Sequence, residues 1–349
     1  MWLKQLKLKR LKIMISNNLK EAAPLIWAEV EEAKNILLHC HVNPDSDSVG
    51  SAMATRQILL NLGKQVTVIK GDSDLPNWAK FFPGGEEIEL KNIFEVDLTK
   101  FDLFIAQDSS DLQRISMKGE ISFPSNLRVV NIDHHASNTN FGHLNLVLTD
   151  RPATSQILFE LYKEWDVEIT KPVAQCLMIG INSDTGGFIH RGTSSETFKI
   201  AGELAAIAPD FSKLINDVYG VASLKRIKFM GQMMSQVELF LGGRVVIAGM
   251  SYDEFTKLNL TNKQEIKQTG LSNMLRNIEG VLVSFLLVEE EPGVTGVSAR
   301  SRDGEKYDVA KLLSQFGGGG HKAAAGAHIN KPLAEAKADL LKALTSLLQ

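Results

Sequence analysis

The feature that most constrains this chain is the run Asn-Ile-Asp-His-His at residues 131–135. It ends an apolar segment, residues 127–132, whose composition predicts a buried strand. An Asp and two adjacent His therefore stand where that strand ends. In an open α/β sheet, ligands bind outside the carboxyl ends of the strands. A single His at such a place is more often packed or solvated, but Asp-His-His indicates ligands.

Three further groups of acidic and imidazole side chains occupy similar places: His41, Asp45 and Asp47 after the predicted strand 35–40, Asp108 after the predicted strand 101–107, and Asp184 at the end of a predicted helix. Each has a structural explanation by itself, because Asp and Ser are common in turns and at helix N-caps. Together they predict a metal site. Carboxylates with imidazoles favour Mn²⁺, Zn²⁺ or Fe²⁺ over Ca²⁺ or Mg²⁺.

The number of acids indicates the number of metals. So many carboxylates repel one another unless cations bind them. Because one ion would leave several carboxylates unpaired, we infer two metals that share a carboxylate.

The order of predicted elements divides the chain into two domains. Residues 14–210 alternate strands with helices, which is typical of an α/β fold with a mostly parallel, doubly wound sheet. Residues 211–241 are predicted to be a helical connector. Residues 242–349 are predicted to form a smaller α/β domain with these elements: a strand at 244–250, a polar helix at 261–278, a hairpin of 281–289 and 296–302, and helices at 308–316 and 332–348. We expect a cleft between the domains.

Four consecutive glycines at residues 317–320 precede His321. Ordering such a run costs much backbone entropy, so it indicates a place where the backbone approaches an anion closely. A flexible hinge is the alternative. Arg300, on a predicted strand, would bind a phosphate through its guanidinium fork, or else is an exposed strand charge. The candidate substrate ligands of this domain are Gly318, Gly319, Gly320, His321 and Arg300.

Composition excludes several classes of protein. The net charge of −3 lacks the basic balance of proteins that grip long duplex nucleic acid. Two cysteines exclude a disulfide framework and suit a reducing cytoplasm. No apolar run approaches the roughly 20 residues of a membrane helix. The basic, leucine-containing residues 1–13 are predicted to be a disordered extension, with a membrane-surface helix as the alternative.

The motifs in their order resemble those of the DHH phosphoesterase family. The resemblance rests on His41-x-Asn-Pro-Asp45-x-Asp47-Ser48, the isolated Asp108, Asp133-His134-His135-x-x-Asn138 and Asp184. The glycine-rich segment 317–326 resembles the motif of the DHHA1 substrate domain. The resemblance covers nearly the whole chain from about residue 14, and the two-domain size is similar to the nanoRNase and phosphoadenosine phosphatase subgroup.

This resemblance implies a role for each motif residue. One Mn²⁺ would be held by His41, Asp45 and Asp108, and the other by Asp47, Asp108, His134 and Asp184. Mg²⁺, Fe²⁺ or Co²⁺ are compatible with the same ligands. His135 would face the substrate phosphate and Asp133 would orient the cluster, so these two and Asp108 are the expected catalytic residues. Asn138 is an expected substrate contact. His39 is expected to pack or to support the site, whereas His143, His190 and His328 have no motif around them and are predicted to be structural.

We therefore expect a cytoplasmic, metal-dependent phosphoesterase that acts on short single-stranded RNA or small nucleotides. Its substrates would be nanoRNA, cleaved exonucleolytically, or 3′-phosphoadenosine 5′-phosphate (pAp), hydrolysed to AMP by metal-activated water. Cleavage of cyclic di-AMP or its linear product pApA is the alternative. A pyrophosphatase or polyphosphatase and a non-catalytic nucleotide-binding regulator are less favoured. A homodimer is compatible with these expectations, and the sequence identifies no general acid for the leaving oxygen.

Overall fold

The computed structural model describes residues 13–190, 192–220, 223–258 and 269–347. The chain divides into two compact units, Met1–Val221 and Ala222–Gln349. The predicted extension at 1–13 lies outside the described residues except for Ile13, and the predicted polar helix at 261–278 is described only from residue 269, where it contains the helix Leu271–Arg276. No helix of the described part of the chain is both long and apolar enough to cross a membrane.

The first unit contains a six-stranded sheet. Its strands are β1 (Met14–Ser16), β2 (Asn35–His39), β3 (Gln65–Ile69), β4 (Leu103–Gln107), β5 (Arg128–Asp133) and β6 (Leu144–Val147). All neighbours are parallel, in the order β1-β6-β5-β4-β2-β3. The predicted α/β class is confirmed. The sequence analysis did not predict β1 and β6, which are too short, at 3 and 4 residues, to show a periodic pattern.

Helices cover this sheet. They are α1 (Leu19–Glu32), α2 (Ser46–Asn61), α3 (Leu112–Ile115), α4 (Thr154–Glu164), α5 (Lys171–Asp184), α6 (Ser195–Ile207) and α7 (Phe211–Ile215), followed by a π-helical turn at Asn216–Gly220. Side chains of β2 alternate between two cores, with Ile36 and Leu38 in the larger core and Leu37 in the smaller one. The long helices α1, α2, α4 and α5 close the larger core. Short elements close the smaller core, among them α3 and the 3₁₀ turn Ile93–Glu95.

Helices α2 and α5 pack closely against each other. A Cβ atom built at Gly50 of α2 would lie 2.6 Å from the carbonyl oxygen of Cys176 in α5, closer than real Cβ contacts allow. Glycine therefore permits this helix approach. Since α2 begins beside Asp45 and α5 ends at Asp184, the close packing brings the two acids toward one edge of the sheet.

The second unit contains a mixed six-stranded sheet. Its strands are β7 (Val237–Phe240), β8 (Val245–Met250), β9 (Val283–Glu291), β10 (Val294–Ser301), β11 (Gly319–His321) and β12 (Ala324–Ile329), in the order β11-β12-β10-β9-β8-β7. The predicted hairpin is confirmed as β9 and β10. Strand β7 lies in the segment 211–241 and pairs with β8, so this part of the predicted connector belongs to the second sheet. The glycine run was expected as a loop, but its last two residues, Gly319 and Gly320, belong to the edge strand β11.

Helices pack on both faces of the second sheet. They are α8 (Leu224–Ser235), α9 (Tyr252–Lys257), α10 (Leu271–Arg276), α11 (Val309–Ser314) and α12 (Leu333–Leu347). One core joins the sheet to α11 and α12, and the other joins it to α8 and α10. On the face that α10 covers, the side chains of β10 are partly polar. Ser298 and Arg300 of β10 lie beside Ser272 and Asn273 of α10.

Candidate metal centre and substrate face

Acids and imidazoles from four chain segments meet at one edge of the first sheet. His41 follows β2, Asp108 follows β4 and His134 follows β5. These strands are parallel neighbours, so their carboxyl ends lie side by side. Asp184 reaches the same place as the last residue of α5. The structure therefore brings together segments that lie up to 143 residues apart, from His41 to Asp184.

The ligand atoms fall into two groups that share Asp108. One group contains His41, Asp45 and Asp108; the other contains Asp47, Asp108, His134 and Asp184. His41 Nε2 lies 3.5 Å from Asp45 Oδ2 and 3.3 Å from Asp108 Oδ2. His134 Nε2 lies 3.5 Å from Asp108 Oδ1 and 3.3 Å from Asp184 Oδ2. The members of these two groups are the residues that the family resemblance implies as ligands, and metal binding by them stays a prediction.

Asp108 has the geometry of a shared ligand. Its two carboxylate oxygens face different imidazoles, Oδ2 toward His41 and Oδ1 toward His134. Its backbone has a φ of 52°, in the left-handed region that costs energy for a residue other than glycine. Asp108 Oδ2 and His134 Nε2 are buried without a hydrogen-bond partner in the described chain. Buried polar atoms of this kind are costly to leave unsatisfied, and a cation between them would remove that cost.

The local fold explains why Asp45 serves both the helix and the cluster. Asp45 Oδ1 accepts hydrogen bonds from the backbone N–H groups of Asp47 and Ser48, which makes it the N-cap of α2. Its other oxygen, Oδ2, is the one that faces His41. The helix-cap and ligand explanations of this residue are therefore compatible.

Asp47 is held by a helix that the sequence analysis did not connect to the site. Its Oδ2 accepts from Thr154 N at 2.7 Å and its Oδ1 from Ser155 N at 3.0 Å, both in the first turn of α4. The hydroxyl of Thr154 donates to Asp108 Oδ1 at 3.4 Å. The positive end of the α4 dipole thus faces the cluster. The sequence signals only that Thr154 and Ser155 start a helix; the contact requires the tertiary fold.

The two imidazoles respond to the surrounding carboxylates. Burial alone would lower the pKa of His41, but the charge of Asp45 and the adjacent carboxylate of Asp108 outweigh burial and raise that pKa to about 10. The pKa of His134 is raised well above its ordinary value, because the adjacent carboxylates of Asp108 and Asp184 outweigh burial. In the absence of cations, protons therefore take over part of the charge compensation.

The pKa values of the carboxylates in the cluster are shifted as well. Burial, and then the charge of Asp108, raise the pKa of Asp47 to about 7. Burial and the charge of Asp47 raise the pKa of Asp184 well above its ordinary value. Burial would raise the pKa of Asp108 as well, but the imidazoles of His134 and His41, at 3.5 and 3.3 Å, hold it well below its ordinary value. Mutual repulsion of this kind fits a site built for divalent cations.

Asp133 and His135 form a separate pair beside the cluster. Their atoms fit a third group with Asp108 and His134, but both oxygens of Asp133 are already engaged. Asp133 Oδ1 lies 2.8 Å from His135 Nδ1, and its Oδ2 accepts from Asn138 Nδ2 at 2.6 Å. Asp133 therefore orients its neighbours and leaves His135 Nε2 for another partner.

Asn138, expected to contact substrate, contacts the scaffold. Besides Asp133, its Nδ2 donates to Asn131 Oδ1 at 2.8 Å. A direct role toward substrate stays a prediction. Among the other histidines, His39 is fully buried with Nε2 3.0 Å from Ser109 Oγ, and burial lowers its pKa to about 3. It is thus a packed neighbour of the site.

The remaining three histidines lie in different surroundings. His143 Nδ1 accepts from Val129 N at 3.0 Å, and His328 lies 3.4 Å from Glu290, both consistent with structural roles. His190 is close to the cluster: its Nδ1 lies 3.1 Å from the carbonyl oxygen of Asp184. The sequence analysis did not anticipate this proximity. Nor did it anticipate Arg114, whose Nη2 lies 2.8 Å from His41 Nε2.

In the second unit, two predicted substrate residues share one face of the sheet. Arg300 of β10 pairs with Ala324 of β12, and Ala324 pairs with His321 of β11. Directly paired residues of antiparallel strands point to the same side, so the three side chains lie in a row. His321 is exposed and Arg300 half-buried. The guanidinium is oriented by Asn273 Oδ1 at 3.3 Å and by the Ala299 carbonyl at 2.9 Å.

The three glycines that precede His321 differ in what an added side chain would meet. A Cβ at Gly318 would lie 2.4 Å from the carbonyl oxygen of Gly326, and one at Gly320 would lie 2.6 Å from that of Ala324. These two glycines allow the close approach of β12. A Cβ at Gly319 would meet nothing within 4 Å, so the described fold does not require glycine there. Close approach of a ligand remains the prediction for Gly319.

Comparison with known proteins agrees with this architecture. The model described as "DHH family, N-terminal domain" matches residues 35–181, and the DHHA1 domain model matches residues 260–349. A Thermus thermophilus protein named bifunctional oligoribonuclease and PAP phosphatase NrnA is 32% identical over 84% of this chain and 83% of its own length. The protein of the same name from Bacillus subtilis is 28% identical over 84% of this chain and 89% of its own length.

Solved structures give the same fold. An exopolyphosphatase-related protein from Bacteroides fragilis has a TM-score of 0.84 and 25% identity, covering 94% of this chain and 96% of that one. RecJ from Thermus thermophilus, in complex with Mn²⁺, has a TM-score of 0.51 and 15% identity, covering 94% of this chain and 55% of that one. The second likeness concerns the fold alone.

Proposed function

We infer that this chain, which belongs to the DHH family of phosphoesterases and carries a DHHA1 domain, hydrolyses short oligoribonucleotides and pAp with two Mn²⁺ ions. The observation that carries the proposal is Asp108, whose carboxylate is shared by two adjacent ligand groups. One shared acid between two such groups is the arrangement that a dinuclear phosphoesterase requires. The relatives named oligoribonuclease and PAP phosphatase support the choice of substrates.

The donor set fits divalent metals that accept both nitrogen and oxygen. His41, Asp45 and Asp108 would hold one ion, and Asp47, Asp108, His134 and Asp184 the other. Two such ions supply a water nucleophile at neutral pH and Lewis-acid stabilisation of the phosphoryl oxygens. Imidazole in each ligand group favours Mn²⁺ over Mg²⁺. The family and the donor set together indicate a divalent metal. We propose that the ions are Mn²⁺ and that the site holds two of them.

The chain's own residues position the substrate and neutralise charge on its phosphate. Asp133 fixes the imidazole of His135, so that its Nε2 is free to contact a phosphate oxygen. Thr154 N and Ser155 N fix Asp47 and hold its carboxylate at the cluster. Arg300 and His321, which share one face of the second sheet, are proposed to bind the phosphate or base at one end of a short substrate. Gripping an end favours short substrates over long strands.

The experiment is a panel of labelled RNA 2-mers to 20-mers, pAp, cyclic di-AMP, pApA and polyphosphate, assayed with Mn²⁺ under matched conditions. Highest kcat/KM on RNA 2-mers to 5-mers, or on pAp, supports the proposal. Highest kcat/KM on cyclic di-AMP or pApA would move the enzyme to the alternative signalling reaction. Preference for polyphosphate, which the relative described as exopolyphosphatase-related suggests as a comparison, would contradict nucleotide specificity.

Two finer expectations belong to the same proposal. We place the enzyme in the cytoplasm, where its two free buried cysteines and its RNA substrates are compatible with reducing conditions. A homodimer is a further prediction, which light scattering of the purified protein would test.

A further inference from the structure

Arg114 is a charged residue at the cluster that the two ligand sets leave without a role. Its Nη2 lies 2.8 Å from His41 Nε2, the nitrogen on which Asp45 and Asp108 also converge. The side chain is half-buried, and among the described residues it makes no ion pair with a carboxylate. A partly desolvated guanidinium that has only one hydrogen bond out of five possible donors retains most of its binding capacity.

The backbone around Arg114 is fixed. Its carbonyl accepts from Val42 N at 2.7 Å, which ties it to the segment that carries His41. Its N–H donates to Asp111 Oδ1 at 3.1 Å, the N-cap contact of α3. The Cα of Arg114 is therefore anchored beside the site, and only the side chain has freedom to change partners.

A metal ion and Arg114 compete for the same atom. His41 Nδ1 lies 3.0 Å from the Val42 carbonyl oxygen, so Nε2 is the ring nitrogen that faces the cluster. Arg114 Nη2 occupies the space next to that nitrogen in the structure, and a cation bound to Nε2 would take the same place. Loading of the His41 group with metal therefore releases the guanidinium while it remains anchored beside the ions.

Charge balance indicates what the released guanidinium binds. The two ligand groups contain four carboxylates, Asp45, Asp47, Asp108 and Asp184, with a summed charge of −4. Two divalent cations contribute +4 and bring the ligand set to zero. Arg114 then adds one uncompensated positive charge at the edge of a neutral cluster. An anion with oxygens arranged for a planar fork suits such a group, and phosphate is that anion.

Resting on the proposed function, we propose that Arg114 binds a non-bridging oxygen of the substrate phosphate once metal has displaced it from His41. Arg114 is then a phosphate-binding residue of the first unit, in addition to His135. The bound anion is recognised as a phosphoryl group whether it belongs to an RNA end, pAp or inorganic phosphate.

The test compares Arg114→Met with Lys118→Met, which removes the same charge from an exposed position four residues further along. Inorganic phosphate is the probe, and its Kd for the Mn²⁺-loaded protein is measured by calorimetry and as competitive inhibition of pAp hydrolysis. Loss of a charged hydrogen bond weakens binding roughly 10- to 100-fold. We expect that loss in Arg114→Met, a smaller loss in Arg114→Lys, and an unchanged Kd in Lys118→Met.

Mn²⁺ affinity, measured on the chelator-treated protein, separates phosphate binding from support of His41. Arg114→Met should bind Mn²⁺ at least as tightly as the wild type, because a competitor for Nε2 is gone. An unchanged phosphate Kd, or weakened Mn²⁺ binding that accounts for the lost phosphate, would overturn the inference. If Arg114→Met does not fold, Arg114→Lys decides on the same criteria. A wild type that cleaves no member of the panel defeats the proposed function, whereas a cleaving wild type with a wild-type-like variant defeats only the role of Arg114.

Discussion

Gly180 of α5 links helix packing to the metal centre, and its substitution by alanine tests that link. A Cβ at this position would lie 2.0 Å from Ser155 Oγ, 2.7 Å from Asp47 Oδ1 and 2.8 Å from Ser155 Cβ. Real Cβ atoms essentially never come within 3.0 Å of a neighbour, so an added methyl group must push these atoms aside. Ser155 and Asp47 are joined by a hydrogen bond, so both must shift.

The magnitude follows from two opposing effects. Overpacking of a close-packed interior costs typically 1–3 kcal/mol. Replacing glycine by alanine inside a helix gains about 1 kcal/mol. We therefore expect Gly180→Ala to lower the free energy of unfolding by roughly 0–2 kcal/mol. Function should suffer more, because a ligand displaced by about 1 Å can cost about 100-fold in rate. We expect kcat/KM for pAp to fall at least about tenfold and Mn²⁺ binding to weaken.

Gly202→Ala is the matched control. Gly202 lies inside α6, and a Cβ there would meet nothing within 4 Å. The same substitution should thus raise the free energy of unfolding by about 0.5–1 kcal/mol and leave activity unchanged. Both variants are compared with the wild type by urea unfolding in chelator, Mn²⁺ calorimetry and pAp turnover. A Gly180→Ala protein as stable and as active as Gly202→Ala would refute the coupling between the α5 packing and Asp47.

Three further predictions concern the ligands directly. Asp108→Asn should lower kcat/KM more than about 100-fold and reduce bound Mn²⁺ below two per chain by metal analysis, while circular dichroism stays that of the wild type; full metal content would show that Asp108 is not shared. Mn²⁺ at 100 times its Kd should stabilise the wild type by about 2.7 kcal/mol in urea unfolding, and the absence of any shift would argue that metal does not bind the native fold. His321→Ala should raise KM for RNA dinucleotides about tenfold with unchanged Mn²⁺ content, whereas loss of metal would place His321 among the ligands.

The sequence predicted which acids and imidazoles meet at the cluster, because each of them follows a strong local pattern. An apolar strand that ends in polar, metal-competent side chains identifies His41, Asp108 and His134 without tertiary information. The carboxyl ends of neighbouring parallel strands then bring them together. Asp184 was predicted at the end of a helix, and the structure shows it as the last residue of α5.

Residues whose roles depend on tertiary contacts were not predictable. Thr154 and Ser155 look like ordinary helix-start residues, and only the packing of α4 shows that they hold Asp47. Arg114 looks like an ordinary surface residue of a four-residue helix. Its contact with His41 depends on the position of α3 beside the end of β2, and no sequence pattern predicts that position.

The glycine run shows how a correct signal can have a second cause. Four glycines indicated close approach of the backbone to something, and an anion was the expected partner. For Gly318 and Gly320 the structure supplies a partner within the protein, the neighbouring strand β12. Composition cannot distinguish a ligand from a neighbouring strand, because close approach of either requires a residue without a side chain.

The central claim is that two metals sharing Asp108 carry the phosphoesterase activity, and one titration tests it most directly. Chelator-treated protein is titrated with Mn²⁺, and bound metal and turnover of a labelled RNA dinucleotide are measured on the same samples. We predict two bound Mn²⁺ per chain, no turnover without metal, and turnover that rises with the second equivalent. Full turnover with no metal bound, or turnover that is already complete with one Mn²⁺ bound per chain, would contradict the account.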